Sequence, residues 1–126
     1  MIRDVTDLRV YTRALNALRL VYQLAKLIPN SHFKLRKQLT SAAESIAPLI
    51  AEGFAKRRSY KEFMRFLEMA LGSSDEVITH ARQTKILSEI VRSINPNLCD
   101  QVIKEYKIIS KQVNTLRKKW VDNTKV

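Results

Sequence analysis

Glycine, proline and cysteine are all scarce in this 126-residue chain, and each shortage excludes a class of protein. Two glycines and three prolines cannot supply the many tight turns of a β-sandwich or barrel. One cysteine, Cys99, has no internal partner, so a disulfide framework is excluded and a reducing, cytoplasmic setting is expected. No apolar run approaches the roughly 18 to 20 residues of a membrane helix. The N-terminus, Met1-Ile-Arg-Asp-Val-Thr-Asp, lacks the charged-then-apolar order of a secretory signal. Carboxylates are also short: 12 Asp plus Glu against 23 Lys plus Arg leave a formal charge of +11. Such a field draws polyanions, chiefly nucleic acid or anionic lipid. Apolar residues, at 45% of the chain, are plentiful enough for one folded domain spanning residues 1–126.

The apolar residues recur at helical spacing. The first stripe runs Leu8, Tyr11, Leu15, Leu18, Tyr22 and Ala25, widened by Ala14, Val21 and Ile28, and stops at Pro29-Asn30. Ser31 is the expected N-cap of a second helix with Leu35, Leu39, Ala42, Ile46, Leu49 or Ile50, and Gly53 on its apolar face. Pro48 lies inside that helix, where it deletes a backbone hydrogen bond and favours a kink. Ser59-Tyr60-Lys61-Glu62 fits a capping box. A third stripe follows through Tyr60, Phe63, Leu67, Ala70, Ser74, Val77 and Ala81, continuing loosely to Ile86, Ile90 and Ile94. Asn95-Pro96 pairs an N-cap with a first-turn proline ahead of Val102, Tyr106, Ile109, Val113, Leu116 and Trp120. Nothing reads as a strand. Helices of this length with short connections predict an all-α, antiparallel up-down-up-down four-helix bundle. Trp120, Phe63 and Tyr22 are expected in core or interface packing.

That topology decides where the charge collects. The start of helix 1, the turn between helices 2 and 3, and the end of helix 4 share one pole. These stretches carry Arg9 and Arg13, then Lys56, Arg57 and Arg58, then Arg117, Lys118 and Lys119. Cations at a helix C-terminus offset the macrodipole, which accounts for Arg117 to Lys119 and partly for Lys56 and Arg57. It does not account for Arg9 and Arg13, near the positive end of their helix. These eight residues are the candidate contacts to a nucleic-acid backbone. Acidic residues are expected to gather instead in helix 3, at Glu62, Glu68, Asp75, Glu76 and Glu89.

Pairing helices 2 and 3 about the Lys56–Arg58 turn sets residues whose numbers sum to about 114 at one level. Gly72 is thereby expected against Ala42 and Ala43, with Glu76 near Gln38, and Glu52 pairing with Lys56 one turn on or with a neighbouring subunit. Catalytic and metal chemistry find little support. Di-iron bundles use paired Glu-x-x-His motifs, whereas Glu76 and His80 are four apart and unduplicated. No glycine-rich phosphate loop exists, Cys99 sits beside Asp100, and Ser73 and Ser74 have no evident base. No catalytic residue, cofactor or metal is expected.

One run of motifs resembles a known family. Asp7-Leu8-x-Val10-Tyr11-x-x-Ala14, Val21-Tyr22-x-Leu24, Ile28-Pro29, Phe33-x-Leu35 and Gln38-Leu39 come first. Ser45-Ile46 then leads to Ile50-Ala51-Glu52-Gly53-Phe54, followed by Phe63-x-x-Phe66-Leu67-x-x-Ala70-x-Gly72-Ser73-x-x-Glu76. The set resembles the bacterial four-helix-bundle family encoded within intervening sequences of 23S ribosomal RNA genes. Ala47-Pro48-Leu49 departs from the Pro-x-Asn usual there. The resemblance implies a small cytoplasmic bundle, a ring-like homopentamer, without known catalytic residues. The accessory variability determinant protein of diversity-generating retroelements looks similar in fold, and is a basic pentamer that binds nucleic acid and a reverse transcriptase. Charge and resemblance together predict a self-associating, non-enzymatic bundle that binds RNA or DNA through its backbone, without sequence preference. The alternative is a protein-protein adaptor, for instance an accessory of a reverse transcriptase or of a ribosomal partner.

Overall fold

The computed structural model describes residues 1–122. Four helices dominate: α1 (Arg9–Leu27), α2 (Phe33–Ala55), α3 (Tyr60–Leu87) and α4 (Pro96–Lys119). Helix α1 packs on α2 and α4, α3 packs on α2 and α4, and the diagonal pairs stay apart. The architecture is therefore an antiparallel four-helix bundle, with no strand among the described residues. No described helix is long and apolar enough to cross a membrane.

The helix ends are fixed by local chemistry. Before α1, Val5–Asp7 forms a 3-10 turn closed by a reciprocal capping box. Asp4 accepts from the Thr6 amide and hydroxyl, while Asp7 accepts from the amides of Arg3 and Asp4. These bonds hold both carboxyls below the usual carboxylate range. Pro29 is followed by a second 3-10 turn, Asn30–His32, so Ser31 is not the cap of α2. The chain already turns in the helical sense there, and the His32 amide bonds back to Pro29. Arg36 donates to the Ile28 carbonyl across this turn.

Helix α2 runs through Pro48, whose ring faces solvent. Ser59 caps α3 by accepting from the Glu62 amide at 3.2 Å. The reciprocal half of that box is missing, because the Glu62 carboxylate turns outward to a bidentate pair with Arg65. Asn95 accepts from the Asn97 amide at 2.9 Å, with Pro96 in the first turn of α4.

The core comprises Val21, Leu24, Ile46, Ile50, Phe63, Leu67, Val77, Tyr106, Ile109 and Val113 among others. Helix α1 turns a different face inward from the one its bulkiest residues mark. Val10, Ala14, Ala17, Val21, Leu24 and Ala25 are buried, while Leu15 and Tyr22 are 43% and 46% exposed. The small alanines let neighbouring helices approach closely, so they take the inner face. Tyr22 consequently lies outside the core and donates to Glu44 at 2.6 Å. The third stripe also ends earlier than its apolar residues suggest: α3 stops at Leu87, leaving Ile86 and Ile90 exposed while Ile94 is buried.

Gly53 lies on the buried face of α2 as expected, whereas Gly72 does not take its expected place. Gly72 does not meet Ala42 and Ala43; it is solvent-exposed, and an added Cβ there would touch nothing within 4 Å. Gly53 is the close-approach position, where a Cβ would stand 2.6 Å from Phe66 Cβ and 3.2 Å from Phe63 Cδ1. Across the other side of α3, the Ser74 hydroxyl donates to the Tyr106 carbonyl. The Ser110 hydroxyl lies 2.8 Å from both Ser74 Oγ and Asp75 Oδ1, stitching α3 to α4.

Candidate polyanion interface

An aromatic cluster builds the end of the bundle where the helix 2–3 turn lies. Phe63 and Trp120 meet edge to face at 4.8 Å between ring centroids, and Phe54 packs edge-on against both. Trp120 follows the last turn of α4, so these contacts pin that terminus to the α2–α3 hairpin. On the opposite side of α4, Leu8, Arg9 and Val10 of α1 face Lys111, Gln112, Thr115 and Lys119 across a groove of about 530 Å³. The three chain stretches expected at one pole therefore converge there.

The cations at this pole are held in different ways. Arg57 stacks its guanidinium 4.0 Å from the Phe54 ring centroid and donates to the Phe54 carbonyl, closing the C-terminus of α2. Lys56 sits 5.0 Å from the Phe66 centroid and 3.6 Å from Glu52, the neighbour one turn back. Both partners of that pair are about half exposed, at 49% and 55%, where such a contact is weak and easily exchanged. Arg9, Arg57, Arg58, Arg117, Lys118 and Lys119 make no ion pair among the described residues.

Arg13 differs from the other candidates. Its guanidinium forms a bidentate pair with Glu105, the Nη2 to Oε1 contact being 3.0 Å, and the carboxylate is only 20% exposed. The hydrogen bond to Glu105 raises the Arg13 pKa and ties the charge to the α1–α4 seam. Arg13 is thus the one nominated cation that the fold neutralises in a partly buried pair. Its partner lies 92 positions away in sequence, so spacing alone gives no sign of it.

The groove between α1 and α4 brings in a cation besides the eight candidates. Lys111 joins Arg9 and Lys119 along its rim, and no carboxylate lines it among the described residues. Its floor is apolar, formed by Leu8, Val10, Ile108 and Leu116. Leu8, the N-cap residue of α1, makes no side-chain capping bond, and no acidic residue occupies the first turn. The positive dipole end of α1 therefore adds to the field of the rim cations.

Chemistry beyond charge is thin. Among the described residues no group of three or more His, Cys, Asp or Glu is placed to hold a metal. Glu76 and His80 line a shallow groove with Gln38 and Ser41 on α2, and His80 Nδ1 meets Gln83 at 2.8 Å. Gln38 and Glu76 are thus neighbours, as the antiparallel pairing expects. Cys99 is buried, and burial, then the adjacent Asp100, push its thiol pKa up.

The family described as "23S rRNA-intervening sequence protein" matches residues 6–115, which takes in all of α1, α2 and α3 and most of α4. No curated protein matches the chain.

Proposed function

The chain belongs to the 23S rRNA-intervening sequence protein family, and from that premise we propose that it is a non-enzymatic, self-associating bundle that binds nucleic acid through the phosphate backbone. The observation that carries the reading is the convergence at one pole of Arg9, Arg57, Arg58, Arg117, Lys118 and Lys119, none in an ion pair among the described residues. Lys56 joins them by exchanging Glu52 for a phosphate. Arg13 acts only as support, through its bridge to Glu105. Phosphate contacts of this kind fix position without reading sequence, so binding is weakly sequence-dependent and strongly salt-dependent.

Self-association is supported by apolar surface at the other pole. Phe33, Ile86 and Ile90 are 60%, 69% and 80% exposed around a groove of about 700 Å³ between the start of α2 and the end of α3. A second copy seated there leaves the cations free, and several copies multiply weak phosphate contacts into avidity. The fivefold ring is what the family resemblance implies.

The test is a gel shift with wild type and the triple variant Lys56→Glu, Arg57→Glu, Arg58→Glu at several salt concentrations. Weaker binding and a flatter salt slope, with an intact helical CD spectrum, support the reading. Unchanged affinity removes this pole from the interface. Light scattering on wild type and on Ile86→Lys, Ile90→Lys tests self-association: the expected result is an oligomer that the variant breaks. A protein that co-purifies after nuclease treatment would favour the adaptor reading.

A further inference from the structure

The outward face of α4 carries a feature that the pole does not explain. Val102, Tyr106, Ile109 and Val113 are buried, which sets the inner direction of the helix. At about 100° per residue, Lys104, Lys107, Lys111 and Lys118 fall within roughly 60° of one another, centred directly opposite. All four are exposed. Helix α4 has two carboxylates, and both are engaged elsewhere. Asp100 pairs with Lys85 of α3 at 2.9 Å, and Glu105 is held by Arg13 of α1. Among the described residues none of the four lysines makes an ion pair, and they form a file about 21 Å long from Lys104 to Lys118 at 1.5 Å per residue. Lys111 belongs both to this file and to the apolar-floored groove at the start of α1.

We propose that α4 is a track for single-stranded nucleic acid, with Lys104, Lys107, Lys111 and Lys118 following successive phosphates and the α1–α4 groove receiving an unstacked base. The proposal rests on the nucleic-acid reading above and extends it by naming the strand class. Lysines three and four residues apart stand one helical turn apart on a straight line, matching a backbone laid along the helix. The groove floor of Leu8, Val10, Ile108 and Leu116 offers no partner to a phosphate but accepts the flat apolar face of a base. In a duplex that face is stacked inside and unavailable, so the groove selects for single strands. Arg9 and Lys119 on the rim then meet the phosphates flanking the inserted base.

The experiment measures fluorescence anisotropy of labelled 20-mers, as single-stranded RNA, single-stranded DNA and duplex DNA, across salt concentrations. The proteins are wild type, the ladder variant Lys104→Gln/Lys107→Gln, and the pole variant Lys56→Glu/Arg57→Glu/Arg58→Glu. Wild type is expected to prefer either single strand to duplex. The ladder variant should bind single strands about tenfold more weakly near 0.15 M salt, with the log–log slope smaller by about 1.4, the value for two lost phosphate contacts on a single strand. A ladder variant that matches wild type in affinity and slope overturns the proposal, as does a wild type that prefers duplex. If the pole variant loses binding while the ladder variant does not, the track fails and the pole survives. Absence of any wild-type binding at low salt overturns both. Both substituted lysines are exposed, so a CD melt within a few degrees of wild type is expected to accompany the loss.

Discussion

Replacing each glycine by alanine tests the packing of α2 on α3, because the two sites are expected to respond with opposite signs. Both glycines lie inside helices, and neither has positive φ. The intrinsic gain from alanine in a helix interior is about 1 kcal/mol. At Gly72 nothing opposes it, since the added methyl meets no atom within 4 Å. Gly72→Ala should therefore raise the melting temperature by roughly 3–5 °C for a domain of this size. At Gly53 the new Cβ would stand 2.6 Å from Phe66 Cβ. That carbon is fixed to the α3 backbone, so no side-chain rotation relieves the clash; the helices must separate near the tightest point of the hairpin. Overpacking costs about 1–3 kcal/mol and exceeds the propensity gain near a helix end. A net loss of about 1–2 kcal/mol follows, several degrees of melting temperature. Thermal and urea unfolding followed by CD read both effects. Gly53→Ala melting at or above wild type would refute the close-approach assignment. Gly72→Ala melting below wild type would show that another surface covers that glycine.

Three further outcomes follow from buried or capped groups. Tyr106 is fully buried and its hydroxyl has no partner among the described residues, so Tyr106→Phe should leave stability unchanged or raise it by about 1 kcal/mol in urea titration; a loss above that size would reveal a hidden partner. Asp4 and Asp7 have folded-state pKa values below their ordinary ones, so their turn is intact above the ordinary carboxylate range. It should come apart as pH falls through the depressed folded values, seen as a falling protection factor of the Thr6 amide relative to its intrinsic exchange; unchanged Thr6 protection on strong acidification would contradict this. Cys99 should resist alkylation at pH 8 in the folded protein and react on unfolding, and rapid labelling without unfolding would show that its burial is incomplete.

The starts of α3 and α4, the end of α1 and most of the core were legible in the sequence, since Ser59, Asn95-Pro96 and Pro29 act locally; the cap of α2 and the end of α3 were not. Nor was the face of α1. Leu15, Leu18 and Tyr22 outweigh Ala14 and Ala17 in any hydrophobicity count, yet close helix packing selects the small residues. Gly72 was misplaced because antiparallel pairing gives a residue's level along the axis but not its side of the helix. The stripe through Ala70, Ser74 and Val77 already turns Gly72 outward. The polar cations were legible because topology alone brings chain ends together. Arg13's loss to Glu105 was not, being a contact between distant helices. The α4 lysine file is the reverse of the Val102–Val113 stripe and lies mostly away from the chain ends that the topology brings together.

The aromatic cluster at the hairpin has a practical corollary. Trp120 is the only tryptophan of the chain, and it lies against Phe63 and Phe54, with Arg57 stacked on the Phe54 ring. Its indole is thus a built-in optical reporter seated immediately beneath the guanidinium-bearing surface. Emission selectively excited in that one ring should shift when an anion occupies the overlying groups, allowing occupancy to be followed without any attached dye.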